Sequence, residues 1–72
     1  MNYGIDMVRT GANIRKVLKD HGIAVADMAD MLGVTASNAY KWLRGDVMPS
    51  LDNLYALSLI LGVSMNDLIV AI

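Results

Sequence analysis

The sequence predicts an all-α domain of five short helices, and three observations carry that prediction. Apolar residues recur at helical spacing rather than alternating, as in Ile14, Val17 and Leu18, with His21 in the next place of the same i, i+3, i+4, i+7 stripe. Each such run is preceded by a residue able to cap a helix or closed by a glycine, with Thr10, Thr35, Ser50 and Ser64 at the starts and Gly22, Gly33, Gly45 and Gly62 at the ends. The links between runs are only a few residues long, as in a compact bundle.

The first helix is expected from Gly11 to His21, with Thr10 as its N-cap and Ile14, Val17, Leu18 and His21 facing inward. Arg15, Lys16 and Lys19 then face outward, and the cation nearest the C-terminus suits the helix dipole. Residues 1–9 form an N-terminal arm, and residues 10–72 the domain. Tyr3, Ile5, Met7 and Val8 give the arm two open readings, a frayed end or a segment that docks on a partner chain.

Residues 25–44 contain two helices separated by a tight turn. The first spans Val25 to Leu32 and has a weak start, because Ala24 offers no capping side chain while Asp27 in the first turn favours the dipole. Gly33 supplies the positive φ of an abrupt turn. Thr35 caps the next helix, Ala36 to Arg44, and Gly45 stops it. Met28, Leu32, Val34, Ala39 and Trp42 turn one face of each helix to a shared core, and Ala29 is small enough for a close crossing. This is the sequence form of a helix-turn-helix, whose second helix is built to enter the DNA major groove.

Helix four is expected from Leu51 to Leu61, capped by Ser50, with Leu51, Leu54, Leu57, Ser58 and Leu61 inward. Tyr55, Leu59 and Ile60 fall outside that face, so the helix is apolar nearly all round and wants burial on a second side. Ser64 caps a last short helix from Met65, with Asp67 completing a capping box. A homodimer is expected through Tyr55, Leu59, Ile69, Val70 and Ile72.

Composition narrows the function classes. The 72 residues contain no cysteine, so thiol chemistry and cysteine-based metal sites are excluded. His21 is the only histidine and has no metal-binding company, so no metal or cofactor is expected. Asp27 and Asp30 share a helix without a nucleophile or base beside them, and no enzyme activity is expected. Charges interrupt every apolar run before it could span a bilayer. The N-terminus has no secretory pattern, so a cytoplasmic protein is expected.

The net charge is −1, with seven acidic and six basic residues. A DNA binder is usually basic on its working face. Here all six cations lie between Arg9 and Arg44, and Leu32 to Gly45 holds Lys41 and Arg44 with no acid. Weak sequence-independent binding is therefore expected.

With these residues in place, the chain resembles the phage repressor/Cro type of helix-turn-helix protein, the Xre-like regulators. The matching elements are Ile14-Arg15, Met28-Ala29, Leu32-Gly33-Val34, Lys41-Trp42, Arg44-Gly45, Pro49-Ser50 and Leu61-Gly62-Val63-Ser64 with Leu68. They cover about Ile14 to Leu68. The resemblance implies a compact five-helix lambda-repressor-like domain and a transcriptional regulator that binds double-stranded DNA. It places Ala36, Ser37, Tyr40 and Lys41 toward the bases, and Thr35, Asn38 and Arg44 toward phosphates. The chemistry fits: Lys41 can donate to guanine, Ser37 can donate or accept, Ala36 can pack on a thymine methyl, and Tyr40 can reach a phosphate. Trp42 belongs to the core face.

The chain also departs from its likeness. Ala24-Val25 stand where such proteins commonly carry Thr-Gln, which caps the helix and touches a phosphate. Leu18 and Leu43 stand where an arginine and an acid often pair. Such a joint replacement spares the desolvation of two charges, and it predicts that the two leucines touch. The alternative function is a protein-interaction module of the same fold that has lost DNA binding, and a regulatory protein partner fits either reading.

Overall fold

A computed structural model of the chain describes residues 3–72; Met1 and Asn2, part of the expected arm, lie outside the described residues. Five helices follow in order: α1 Met7–Asp20, α2 Val25–Leu32, α3 Ala36–Arg44, α4 Leu51–Leu61 and α5 Met65–Leu68. The fold is all-α. Among the described residues the only β pairing is a single antiparallel bridge between Ile5 and Ala71.

The helix boundaries follow local chemistry. The Thr35 Oγ1 accepts from the Asn38 amide at 3.1 Å, and the Ser50 Oγ accepts from the Asn53 amide at 3.2 Å. At α5, Ser64 and Asp67 satisfy each other's backbone amides at 3.1 and 3.0 Å, so the expected capping box is formed. Ala24 makes no capping bond, as its side chain dictates. Gly33 ends α2 at φ 69°, which lets the Val34 amide reach back to the Ala29 carbonyl at 3.0 Å and turns the chain into α3.

The first helix starts earlier than the sequence reading has it. Asp6, not Thr10, is the N-cap, its carboxylate accepting from the Arg9 amide at 2.9 Å. Thr10 sits inside the helix, 1% exposed. Its hydroxyl is committed elsewhere, accepting from the Val70 amide at 2.9 Å and facing the Val70 carbonyl at 3.4 Å. Asn13 donates to the carbonyls of Asp67 and Leu68 at 2.8 and 3.1 Å. The Asp6 amide donates to the Val70 carbonyl at 2.8 Å, and the Ile72 amide to the Gly4 carbonyl at 3.1 Å. Residues 4–6 of the expected arm are thus tied to the chain's own C-terminal residues.

One core joins all five helices: Ile14, Leu18, Met28, Ala29, Ala39, Trp42, Leu43, Leu54, Leu57, Leu61 and Leu68. Leu18 and Leu43, 2% and 6% exposed, are buried together there, where α1 packs on α3. Two residues expected inside stand outside. His21 is exposed and its Nδ1 turns back to the Val17 carbonyl at 2.8 Å, because the helix ends at Asp20 and the ring caps it. Leu51 is 74% exposed, because α4 rests on α2 and α5 through Leu54, Leu57 and Leu61 and its first turn is uncovered. No helix among the described residues is long and apolar enough to cross a membrane.

Candidate nucleic-acid interface

Helix α3 divides sharply into two faces. Ala39, Trp42 and Leu43 are buried, while Thr35, Ala36, Ser37, Asn38, Tyr40, Lys41 and Arg44 are all exposed. The seven residues singled out in the sequence therefore share one uncovered helix. Three anchors hold that helix in place. The Trp42 ring and Leu43 enter the common core, and α2 crosses beneath at the small Ala29. The third anchor went unread in the sequence. A Cβ built on Gly11 would lie 2.4 Å from the Trp42 carbonyl oxygen and 2.6 Å from that of Leu43. Backbone of α1 and the last turn of α3 thus meet with no room for a side chain.

The C-terminal end of α3 is fitted just as tightly. Gly45 adopts φ 80°, and a Cβ there would meet the Val8 backbone at 2.6 Å. Only glycine serves both requirements. The turn sends the Asp46 amide back to the Lys41 carbonyl at 2.9 Å. Hydropathy patterns carry no trace of either approach, since both involve backbone atoms.

The polar chemistry of this face suits nucleic acid in kind. The Thr35 hydroxyl accepts from the Asn38 amide, which leaves its hydrogen free to donate outward. The positive end of the α3 dipole lies at Ala36 and Ser37, where anions are favoured. Lys41 is exposed. Arg44 is not a free cation: its Nε donates to the Asp46 Oδ2 at 3.0 Å. The sequence pattern Arg-Gly-Asp over residues 44–46 signals that pair, yet the reading stopped at the glycine.

The neighbouring start of α2 adds no cation and no capping side chain beside α3. Ala24 is exposed without a polar group, Val25 packs partly into the core, and Asp27 and Asp30 are exposed and acidic. Among the described residues there is no cluster that could hold a metal ion and no enclosed pocket. The arrangement offers a convex helical face rather than a cavity.

The expected dimer residues are divided. Tyr55 and Leu59 are 56% and 64% exposed and stand one turn apart on α4. Ile69 packs partly against the protein's own core, Val70 is half-buried and held by Thr10, and Ile72 is exposed beside Gly4.

Comparison with known proteins gives a consistent picture. A family model described as helix-turn-helix matches residues 14–68. Among solved structures, the P22 c2 repressor in complex with a synthetic operator is 34% identical, with a TM-score of 0.76, 82% of this chain and 89% of that chain being covered. The biofilm master regulator SinR in complex with DNA is 28% identical, with a TM-score of 0.74 and coverage of 82% and 95%. The restriction-modification controller protein C.AhdI from Aeromonas hydrophila is 25% identical, with a TM-score of 0.80 and coverage of 88% and 96%. A search of curated proteins finds no match.

Proposed function

The chain belongs to the helix-turn-helix family of phage repressor and Xre-type regulators, and from that premise we propose that it is a transcriptional regulator that reads double-stranded DNA. In this reading α3 enters the major groove of a specific site. The observation that carries it is the exposed face of α3, seven residues with donors, acceptors and a cation, held rigidly from behind by Trp42, Leu43 and Gly11. A rigid helix is what base reading requires, because the edges of a base pair are distinguished by donor and acceptor positions. Lys41, Ser37, Ala36 and Tyr40 face the bases and groove wall, while Thr35, Asn38 and Arg44 meet phosphates. The P22 c2 repressor and SinR, which are similar to this chain, are each described in complex with DNA.

One subunit presents few cations to DNA, so affinity is added by pairing two. The residues proposed to pair them are the exposed Tyr55 and Leu59 of α4, with Ile69, Val70 and Ile72 of the C-terminal segment. Two α3 helices about 34 Å apart would then read a two-fold symmetric site. Such a protein acts in the cytoplasm, where the DNA is, and needs no cofactor.

Substitution of Lys41 by alanine tests the assignment of the reading face. By anisotropy on a selected duplex, Lys41→Ala is expected to lose about tenfold in affinity, within the range of a good base contact. Binding unchanged in this variant and in Tyr40→Ala would remove α3 from the interface. The alternative, a protein-interaction module of the same fold, draws support from the acidic α2 face of Asp27 and Asp30, and it predicts no duplex selection at all.

A further inference from the structure

The recognition helix carries two cations, Lys41 and Arg44, and no acid. The first residue past its glycine stop is Asp46, whose carboxylate takes the Arg44 Nε at 3.0 Å. This neighbour is held there by the backbone. The positive φ of Gly45 and the 2.9 Å bond from the Asp46 amide to the Lys41 carbonyl set the Asp46 backbone against the last turn of α3, within side-chain reach of Arg44. Both partners remain more than half exposed, 59% and 56%, so an oxygen anion from outside can reach the same guanidinium.

We propose that Asp46 is an intramolecular stand-in for a DNA phosphate, competing for Arg44 and holding down the sequence-independent affinity of the recognition helix. The inference rests on the DNA-binding reading of α3. Its physics is that of an exchange. In a non-specific complex that leaves the pair closed, Arg44 neutralises no phosphate and releases no counterion from the DNA. Opening the pair gives up the Arg44–Asp46 attraction in exchange for a phosphate contact and its released counterion. An exposed ion pair is weak enough to be opened by a specific complex, yet it subtracts from every non-specific one. Asp46 is thus a positioning residue that acts through Arg44 and favours discrimination between sites over raw affinity.

The test compares the wild type, Asp46→Asn, Arg44→Ala and the double variant by fluorescence anisotropy on a selected duplex and on an arbitrary one, from about 50 to 200 mM salt. Asp46→Asn keeps the shape and the amide bond to Lys41 while removing the charge. It is expected to bind the arbitrary duplex about two- to fivefold more tightly at the lowest salt. The slope of log affinity against log salt should steepen by about 0.9 per subunit. In the Arg44→Ala background the same change should have less than about a twofold effect, since the competitor has lost its target. Asp46→Ser should reproduce the steeper slope. An unchanged slope with a wild type that binds would overturn this inference alone. Weaker binding by Asp46→Asn would overturn it too, making Asp46 a buttress for Arg44. A wild type and an Asp46→Asn variant that both ignore every duplex would overturn the DNA reading and this inference together.

Discussion

Gly11 lets the backbone of α1 come directly against the last turn of α3. Its absent side chain lets α1 press on the Trp42 and Leu43 carbonyls, and an alanine methyl would overlap backbone that cannot yield cheaply. Gly11→Ala is expected to destabilise the fold by about 3 kcal/mol, measured by urea unfolding. Gly33→Ala is the control: it has a positive φ but open space around it, and should cost only about 1 kcal/mol. Thr10 makes a second point at this scale. Thr10→Val keeps the shape but leaves the half-buried Val70 amide without its acceptor, and should cost about 1 kcal/mol by the same measurement. Neither role was legible in the sequence. Gly11 reads there as an ordinary first residue of a helix, and Thr10 as its cap. The true cap, Asp6, lies four residues earlier, and what decides between them is the pairing of Thr10 with a residue sixty positions away. Local patterns cannot weigh such a contact.

At the scale of elements, the two helices of the motif were fully legible, because glycine stops and apolar spacing agree there. Val25–Leu32 and Ala36–Arg44 form as the spacing predicts, with Thr35 as cap and Gly33 and Gly45 as stops. The weak start of α2 was legible too, since Ala24 has an extended backbone suited to a cap and no oxygen to serve as one. Ala24→Ser is therefore expected to stabilise the protein by about 1 kcal/mol, seen as a shift in the urea midpoint with an unchanged slope. Helix α4 shows the limit of periodic reading. Leu51 has the spacing of the inward face but lies in an uncovered first turn, so spacing names a face without saying how far its cover extends. With Tyr55 and Leu59 it forms a stripe at four-residue steps, apolar and open.

For the whole molecule, that stripe and the small number of cations pose one problem with one answer. A single subunit offers Lys41 and an Arg44 already engaged by Asp46, too little charge for tight binding alone, and its α4 leaves apolar surface in water. In the proposed dimer a second copy would cover the stripe and double the reading face. Tyr55→Glu together with Leu59→Glu is expected to leave the thermal unfolding of the monomer nearly unchanged while abolishing concentration-dependent mass in light scattering. DNA affinity should fall at least about 100-fold with it, as paired sites become single ones. The fold was readable from sequence because many short signals agree on it. The Arg44–Asp46 ion pair was not, because it joins the last helical residue to one beyond the glycine stop, where apolar spacing carries no signal.

The central claim is that α3 reads a specific duplex site, and enrichment sequencing of duplexes bound from a random pool at low salt tests it most directly. The account predicts a two-fold symmetric motif with half-sites about ten base pairs apart, and loss of specificity at one position of each half-site in Lys41→Ala. A pool that shows no enriched sequence at tens of micromolar protein would contradict it.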